Sequence, residues 1–386
     1  MNPLARHYSR FRVAERILLT GHSHQAWPDV GFEAQQRAWL DAAELVDDKW
    51  PAAEAEAERV REGFARLLGD VPGNMALGQN THELVTRWLS ALPLEKRRRI
   101  VTTDAEFHSL RRQLDRLAER GSLQIVRLPA RPVDTLAARL AATVDDHTVC
   151  VAVSSVLFDT AEIVPSLGMV AAACARVGAE LLVDAYHHLN VVPFDLQQMS
   201  LADAFVTGGG YKYCQLGEGN AFLRVPPHRR LRPVLTGWFA EFAHLEARAT
   251  GEVQYGPGAS AFAGATYDPT SHYRGAAVFA FHVQQDLTPD RLREISRRQV
   301  ARLLAGIEAL DVDGRVLAIE PILAERRAGF LALRTPHAGA IVRALRAKDV
   351  WTDARGDVLR LGPAPYLDDT QLDDGVAALG DVITRA

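Results

Sequence analysis

Asp184, His187, His188 and Lys212 fall within one short stretch of this 386-residue chain, each at or just beyond the end of an apolar run. The runs Glu180 to Val183 and Asp203 to Thr207 have the length and unbroken apolar character of strands buried on both faces of a parallel sheet. Functional groups on such sheets gather at the carboxyl ends of the strands. The first run delivers Asp184, followed by His187 and His188; the second leads into Gly208-Gly209-Gly210-Tyr211-Lys212-Tyr213. Of the four lysines, Lys49, Lys96 and Lys348 lie in polar stretches, whereas Lys212 stands between two tyrosines at the end of a buried run. A partly desolvated amine has a lowered pKa and becomes a nucleophile towards aldehydes. A carboxylate one strand away is the partner a pyridinium nitrogen needs, so the pair suggests pyridoxal 5'-phosphate (PLP). Taken singly, a lysine after a glycine turn also fits a surface site, and an aspartate at a strand end also fits a cap or turn. Order and spacing favour the chemical alternative: strand-Asp-x-x-His, strand-glycines-Tyr-Lys, then Gly217 to Gly219 before another strand at Ala221 to Val225.

The elements that must position these groups alternate in kind. Strands are expected at Ile100 to Thr103, Gln124 to Leu128 and Thr148 to Ser154, with helices over Pro51 to Leu68, Val133 to Thr143 and Pro165 to Val177. Alternation of this sort implies a mostly parallel sheet with right-handed crossovers. Leu77-Gly78-Gln79-Asn80-Thr81-His82 is a glycine turn opening a helix, either a plain N-cap or, through its free N–H groups and dipole, a phosphate cradle. The first fifty residues form a polar entry segment, and Gly251 to Gly275 is loop-like. From Ala276 onward helices at Ala276 to Gln285, Pro289 to Leu310 and Ala338 to Lys348, a strand at Gly329 to Arg334, a strand pair at Val350 to Ala354 and Val358 to Leu361, and a closing helix from Asp369 describe a smaller α+β domain. The expected division is an N-terminal segment over 1–50, a large cofactor-binding domain over 51–275 and a small domain over 276–386.

Composition narrows the function classes. Hydrophobic residues make up 48% and charged residues 24%, ordinary for a globular protein, and a formal net charge of -4 offers nothing to nucleic acid or a membrane surface. No apolar run reaches transmembrane length and MNPLARHYSRFRVAERILL lacks a signal-peptide core, so a cytoplasmic enzyme is expected. Cys150, Cys174 and Cys214 lack metal-ligand spacing, and His22-Ser23-His24 has no third ligand at suitable spacing, so no metal site is expected. No GxGxxG or Walker pattern is present.

Asp184-Ala185-Tyr186-His187, Tyr211-Lys212 and Leu235-Thr236-Gly237-Trp238-Phe239 resemble kynureninase, within the aminotransferase class V group of fold type I PLP enzymes. The Tyr-Lys pair separates the chain from cysteine desulfurases, which usually carry His before the lysine. The resemblance implies an α/β large domain and small C-terminal domain, PLP as cofactor, a small amino-acid substrate and a homodimer with shared active sites. It also implies roles by position. Lys212 would be the catalytic base, Asp184 the ring-nitrogen partner, and Phe107 and His187 the residues flanking the ring. Asn80, Thr81, Ser109, Ser154 and Tyr211 would contact the cofactor, with Trp238 and Thr266 supplied from a partner subunit. Arg360, in Arg360-Leu361-Gly362-Pro363-Ala364-Pro365, would clamp the substrate α-carboxylate, and His22 would face the substrate. The implied reaction is hydrolytic Cβ–Cγ cleavage of kynurenine or 3-hydroxykynurenine to an anthranilate and alanine, in tryptophan catabolism. His24, Gln25, Leu110, Asp159 and Thr266 depart from the kynureninase pattern and keep open another class V reaction, an aminotransferase or other Cβ-bond lyase. A metal hydrolase using His22, Asp184, His187 and His188, and a non-catalytic PLP-binding protein, are the rivals from other classes.

Overall fold

The chain passes through a short strand, β1 (Ile17–Leu18), and two helices, α1 (Val30–Leu45) and α2 (Trp50–Leu68), before reaching the sheet that carries the site. The computed structural model describes residues 2–121, 123–244 and 251–384. In it β2 (Met75–Gly78) leads to α3 (Thr81–Ser90), β3 (Arg99–Thr103) to α4 (His108–Glu119), β4 (Gln124–Leu128) to α5 (Leu136–Thr143), and β5 (Thr148–Ser154) to α6 (Leu167–Val177). Then come β6 (Glu180–Asp184), β7 (Phe205–Gly209) and β8 (Ala221–Arg224). They form a 7-stranded sheet ordered β2-β8-β7-β6-β5-β3-β4, in which β8 alone runs against its neighbours. β5 is buried at every position, as expected for a central strand with helices on both faces. Val151, Val153 and Val183 face one apolar layer with α2, α5 and α6, while Ala152, Leu182 and Phe205 face the other with Trp88 of α3. Register aligns the carboxyl ends: Ser154 lies beside Asp184, and Asp184 beside Thr207. That row is where a doubly wound sheet exposes its functional groups.

The remaining elements are α7 (Thr270–Gln284), α8 (Pro289–Ala309), β9 (Ala318–Ile319), β10 (Leu331–Arg334), α9 (Ala338–Arg346), β11 (Val350–Trp351), β12 (Asp353–Arg355), β13 (Val358–Leu361) and α10 (Asp369–Ile383). Thr288 caps α8 by accepting the Arg291 N–H ahead of Pro289, and an Asp368–Gln371 capping box starts α10. The strands form an antiparallel sheet, β12-β13-β10-β9, whose core takes in Tyr8, Leu18 and Leu19 from the chain's start. β1 pairs in parallel with β11, and a bridge from Thr20 to Gly362 carries the N-terminal segment up to β13. The architecture is the expected one: a mostly parallel α/β sheet and a smaller C-terminal domain. Among the described residues no helix is long and apolar enough to cross a membrane.

Several elements differ from expectation: the run Val350 to Ala354 divides into β11, which pairs with β1, and β12, which pairs with β13, and the short strands β1 and β9 were not foreseen. Val30–Leu45 is a helix inside the supposed polar entry segment; it buries only the small residues Gly31, Ala34 and Ala38, so its apolar stripe is too thin to read. Met75–Gly78 is a strand, where the sequence suggested only a turn. α7 begins at Thr270, within the stretch read as loop.

Candidate active site

Lys212 sits on the turn that follows β7, and the three glycines before it make room for what surrounds it. A Cβ on Gly208 would stand 2.7 Å from Leu189 Cδ1, one on Gly209 2.4 Å from the Tyr186 hydroxyl, and one on Gly210 2.6 Å from Leu216 Cβ. Real Cβ atoms do not approach this closely, so the backbone passes under these side chains only as glycine. The Lys212 Nζ is enclosed by the rings of Tyr211, Tyr186 and Phe107, at 4.7, 5.3 and 5.7 Å from their centres. Burial first, and then the positive charge of Arg360, lowers the ammonium pKa to about 7; Asp184 and Asp353 pull the other way.

A pocket opens beside this amine, with Thr81, Phe107, Ser109, Leu110, Asp184 and Thr207 among its walls. Two helix starts face it. Asn80 caps α3 by accepting the Glu83 N–H at 3.0 Å, leaving the N–H groups of Thr81 and His82 without partners in the helix. α4 starts directly after Phe107 and carries Ser109 in its first turn. Both helices point their positive dipole ends toward the pocket. The Asp184 carboxylate accepts the Tyr186 N–H at 2.9 Å, and burial raises its pKa against that bond and the Lys212 charge. Behind it lies Glu106, a carboxyl 2% exposed that accepts the hydroxyls of Thr103 at 2.6 Å and Ser154 at 2.7 Å. Burial pushes the Glu106 pKa up to about 7.

Arg360 comes from the other sheet. It lies opposite Asp353 across the β12–β13 hairpin, with its Nε 2.9 Å from Asp353 Oδ1 and its Nη2 on Oδ2. Its Nη1 donates to the Phe158 carbonyl at 2.6 Å, and Phe158 packs edge-on against Phe107 at 5.6 Å between centres. Its charge is close enough to depress both Lys212 and His187.

The structure therefore brings Thr81, Phe107, Ser109, Asp184, Tyr211, Lys212 and Arg360 together, with Asn80 holding the helix start. His187 is buried nearby and kept neutral, its pKa driven well down by burial and then by Lys212 and Arg360. Other expected positions lie elsewhere. Ser154 is buried and its hydroxyl is committed to Glu106. His22, expected at the substrate, is fully buried beneath Arg360, with Nε2 2.7 Å from Asp353 Oδ1. Trp238 and Thr266 bond each other at 3.3 Å on an exposed surface and are not among the walls of the Lys212 pocket of their own chain. His188 turns away, with its ring nitrogens at 3.2 Å from Ser155 Oγ and the Pro193 carbonyl. Among the described residues no three His, Cys, Asp or Glu side chains converge as metal ligands. Sequence reasoning missed Glu106, Tyr186, Phe158 and Asp353. Of these only Asp353 was within reach, because counting back across the Arg355-Gly356-Asp357 turn places it opposite Arg360.

This donor set fits PLP. Hydroxyls and free N–H groups stand at two helix starts, as a phosphate needs, and a buried Gln79 Nε2 on the turn into α3 has no partner within the described residues. Phe107 offers a flat wall, Asp184 a carboxylate for a ring nitrogen, and Lys212 an amine for the aldehyde.

Comparison with known proteins agrees. Residues 53–311 match the aminotransferase class-V family, and residues 292–379 match the kynureninase C-terminal domain. The chain is 31% identical over 206 residues to isopenicillin N epimerase of Streptomyces clavuligerus, a match spanning 52% of this chain and only 51% of the epimerase. It is 24% identical over 338 residues to the uncharacterized aminotransferase YcbU of Bacillus subtilis (strain 168), covering 85% and 84% of the two chains. Its fold superposes on a mutant of C-DES with glycine covalently linked to the PLP cofactor, with a TM-score of 0.85 at 18% identity, over 98% of this chain and 99% of the other. The class-V match runs through Asn80, Asp184 and Lys212 and takes in most of the sequence, so the chain belongs to the aminotransferase class-V family, whose members depend on PLP.

Proposed function

We propose that this protein is a PLP-dependent hydrolase of the kynureninase type, cleaving the Cβ–Cγ bond of kynurenine or 3-hydroxykynurenine to give an anthranilate and alanine. The observation that carries it is that Asp184, a wall of the pocket, and Arg360 both lie close enough to Lys212 to shift its pKa, with Arg360 in the segment that matches the kynureninase C-terminal domain. When bound, PLP supplies an electron sink for negative charge at Cα and the carbons beyond it. Asp184 keeps a proton on the ring nitrogen, and Phe107 and His187 confine the ring. Thr81, Ser109 and the α3 start that Asn80 caps hold the phosphate end, with Tyr211 beside the amine. Lys212, its amine half free-base near neutrality, takes the α-proton and returns it. Arg360 fixes the substrate α-carboxylate through its planar fork. The Cβ–Cγ bond breaks with the addition of one water: its hydroxyl ends on the γ-carbonyl carbon, which leaves as the carboxyl group of anthranilate, and its remaining proton goes to Cβ, so that the return of the α-proton by Lys212 completes alanine.

In the proposed homodimer Trp238 and Thr266 complete the partner's site, which accounts for their exposure in a single chain. The cysteines speak against desulfurase chemistry: all three are buried, and burial raises the Cys174 and Cys214 thiols to about 12 and the Cys150 thiol well above its ordinary value. The likeness to isopenicillin N epimerase favours one second reading, in which only the α-proton of a different amino acid is exchanged.

The test is anthranilate fluorescence after L-kynurenine, and separately 3-hydroxykynurenine, is given to the PLP-loaded protein. Product from wild type and none from Lys212→Ala is expected. No product from either, with α-hydrogen exchange on other amino acids, would replace the kynureninase reading with the second one.

A further inference from the structure

The Arg360 side chain is held in a way that no role assigned so far explains. A guanidinium carries five N–H donors in one plane. Three are committed: Nε and Nη2 to the two oxygens of Asp353, and one N–H of Nη1 to the Phe158 carbonyl. One donor on each of Nη1 and Nη2 is left for a further acceptor.

Asp353 is itself fixed. It sits directly across the hairpin from Arg360, so the two share one face of the sheet. From below, His22 Nε2 reaches Asp353 Oδ1 at 2.7 Å. The His22 ring is fully buried, lies against Phe330 at 4.6 Å between centres, and is pressed by Gly362, where a Cβ would come within 2.2 Å of Nδ1. Burial and then Arg360 lower the His22 pKa to about 4, so near neutrality Nε2 is the donor and Nδ1, buried without a partner, the acceptor. Burial alone would raise the Asp353 carboxyl; the hydrogen bonds from His22 and Arg360, with the Arg360 charge, outweigh it and hold the group well below the usual carboxylate range.

We infer that Asp353, braced by His22, is a positioning residue that occupies the side edge of Arg360 and so aims its remaining Nη1 and Nη2 donors at the substrate's α-carboxylate. The inference rests on the reading of Arg360 as that clamp. The opposite possibility has the opposite sign: an Asp353 that merely filled the fork in the substrate's place would compete, and its removal would tighten binding.

The PLP-loaded protein is titrated with L-alanine and with ethylamine, which lacks the carboxylate, following cofactor absorbance. Asp353→Asn keeps the shape and loses the charge; the apparent Kd for L-alanine should rise about tenfold, as for a lost charge-assisted hydrogen bond, with ethylamine unmoved. Unchanged or tighter L-alanine binding overturns the inference. Arg360→Ala reads the underlying assumption: the preference for L-alanine over ethylamine should vanish, and a surviving preference removes Arg360 as the clamp. A preference lost in Arg360→Ala but intact in Asp353→Asn refutes the positioning role alone. Should Asp353→Asn fail to fold, His22→Gln, which still offers an N–H to Asp353, should bind L-alanine like wild type and His22→Ala about threefold or more weakly; equal affinities in both overturn the inference.

Discussion

The pKa of Lys212 is the property on which its chemistry turns. An ordinary lysine is almost wholly protonated near neutrality, and a protonated amine cannot add to an aldehyde. Burial and Arg360 bring Lys212 to about 7, so a large share of it is free base there. The amine loses its proton as pH rises, so trapping of PLP on the apo protein by reduction should increase with pH and level off above a midpoint near about 7. In Arg360→Ala one depressing charge is gone while the Asp353 carboxylate, which raises Lys212, stays, so the midpoint should move up. A wild-type midpoint in the ordinary lysine range would show that the amine is not desolvated as the structure has it. The sequence disclosed Lys212 and Asp184 because each terminates a legible apolar run, and Thr81 because it stands at a glycine turn opening a helix, whereas Ser109 came only from the family resemblance. It could not disclose the proximity of Arg360 to Lys212. That contact is made between two sheets far apart in sequence, and periodicity says nothing about how one sheet sits on the other. Ser154 shows a related limit: its strand-end position is visible, but not that a buried carboxyl takes up its hydroxyl.

At the scale of elements, the turn between β7 and Lys212 is the part least able to change. Gly209→Ala would place a methyl 2.4 Å from the Tyr186 hydroxyl, and the Tyr186 ring rests on Tyr211 at 4.9 Å between centres. Relief must displace the two rings that enclose the Lys212 amine, because the strand itself is paired on both edges. Overpacking of this kind costs about 1–3 kcal/mol, and the variant should both melt earlier and retain PLP less well on dialysis. Gly73→Ala is the control, since a Cβ there meets nothing within 4 Å, and it should match wild type. A Gly209→Ala protein with unchanged melting and retention would mean that the rings have room that the packing does not show. Elements with thick apolar stripes or continuous buried runs were readable to within a residue or two, as with Thr148–Ser154 and Val358–Leu361. Those whose buried face consists of alanine and glycine, such as α1, were not, because small side chains leave no hydrophobic period to detect.

The molecule as a whole should be labile to acid, because it folds around neutral imidazoles. Burial lowers His22, His188, His272 and His282 to about 4, and His187 well down without a partner to offset it fully. In the unfolded chain each would titrate near about 6.5. Between those values the unfolded state binds more protons than the folded one, so stability falls as pH drops through this window. Raised carboxyls act in the other direction. Glu106, at about 7, holds its proton in the fold and contributes stability that is lost as pH rises through that value. Asp159, Glu162, Glu180 and Asp184 are raised in the same sense but less far, against five deeply buried histidines, and Asp353, held low in the fold, adds a further loss at still lower pH. The histidines win. Melting temperature should therefore decline steadily from about pH 7 to about pH 4.5. His282 is the cleanest probe, since burial is the sole cause of its shift, and its ring is 3.4 Å from Gln215 Oε1. His282→Gln should keep a polar contact with Gln215 and remove one titrating group, giving a shallower decline than wild type. A melting temperature that stayed level over this range, in wild type and variant alike, would mean that these imidazoles are already charged or solvated in the fold, contrary to their burial.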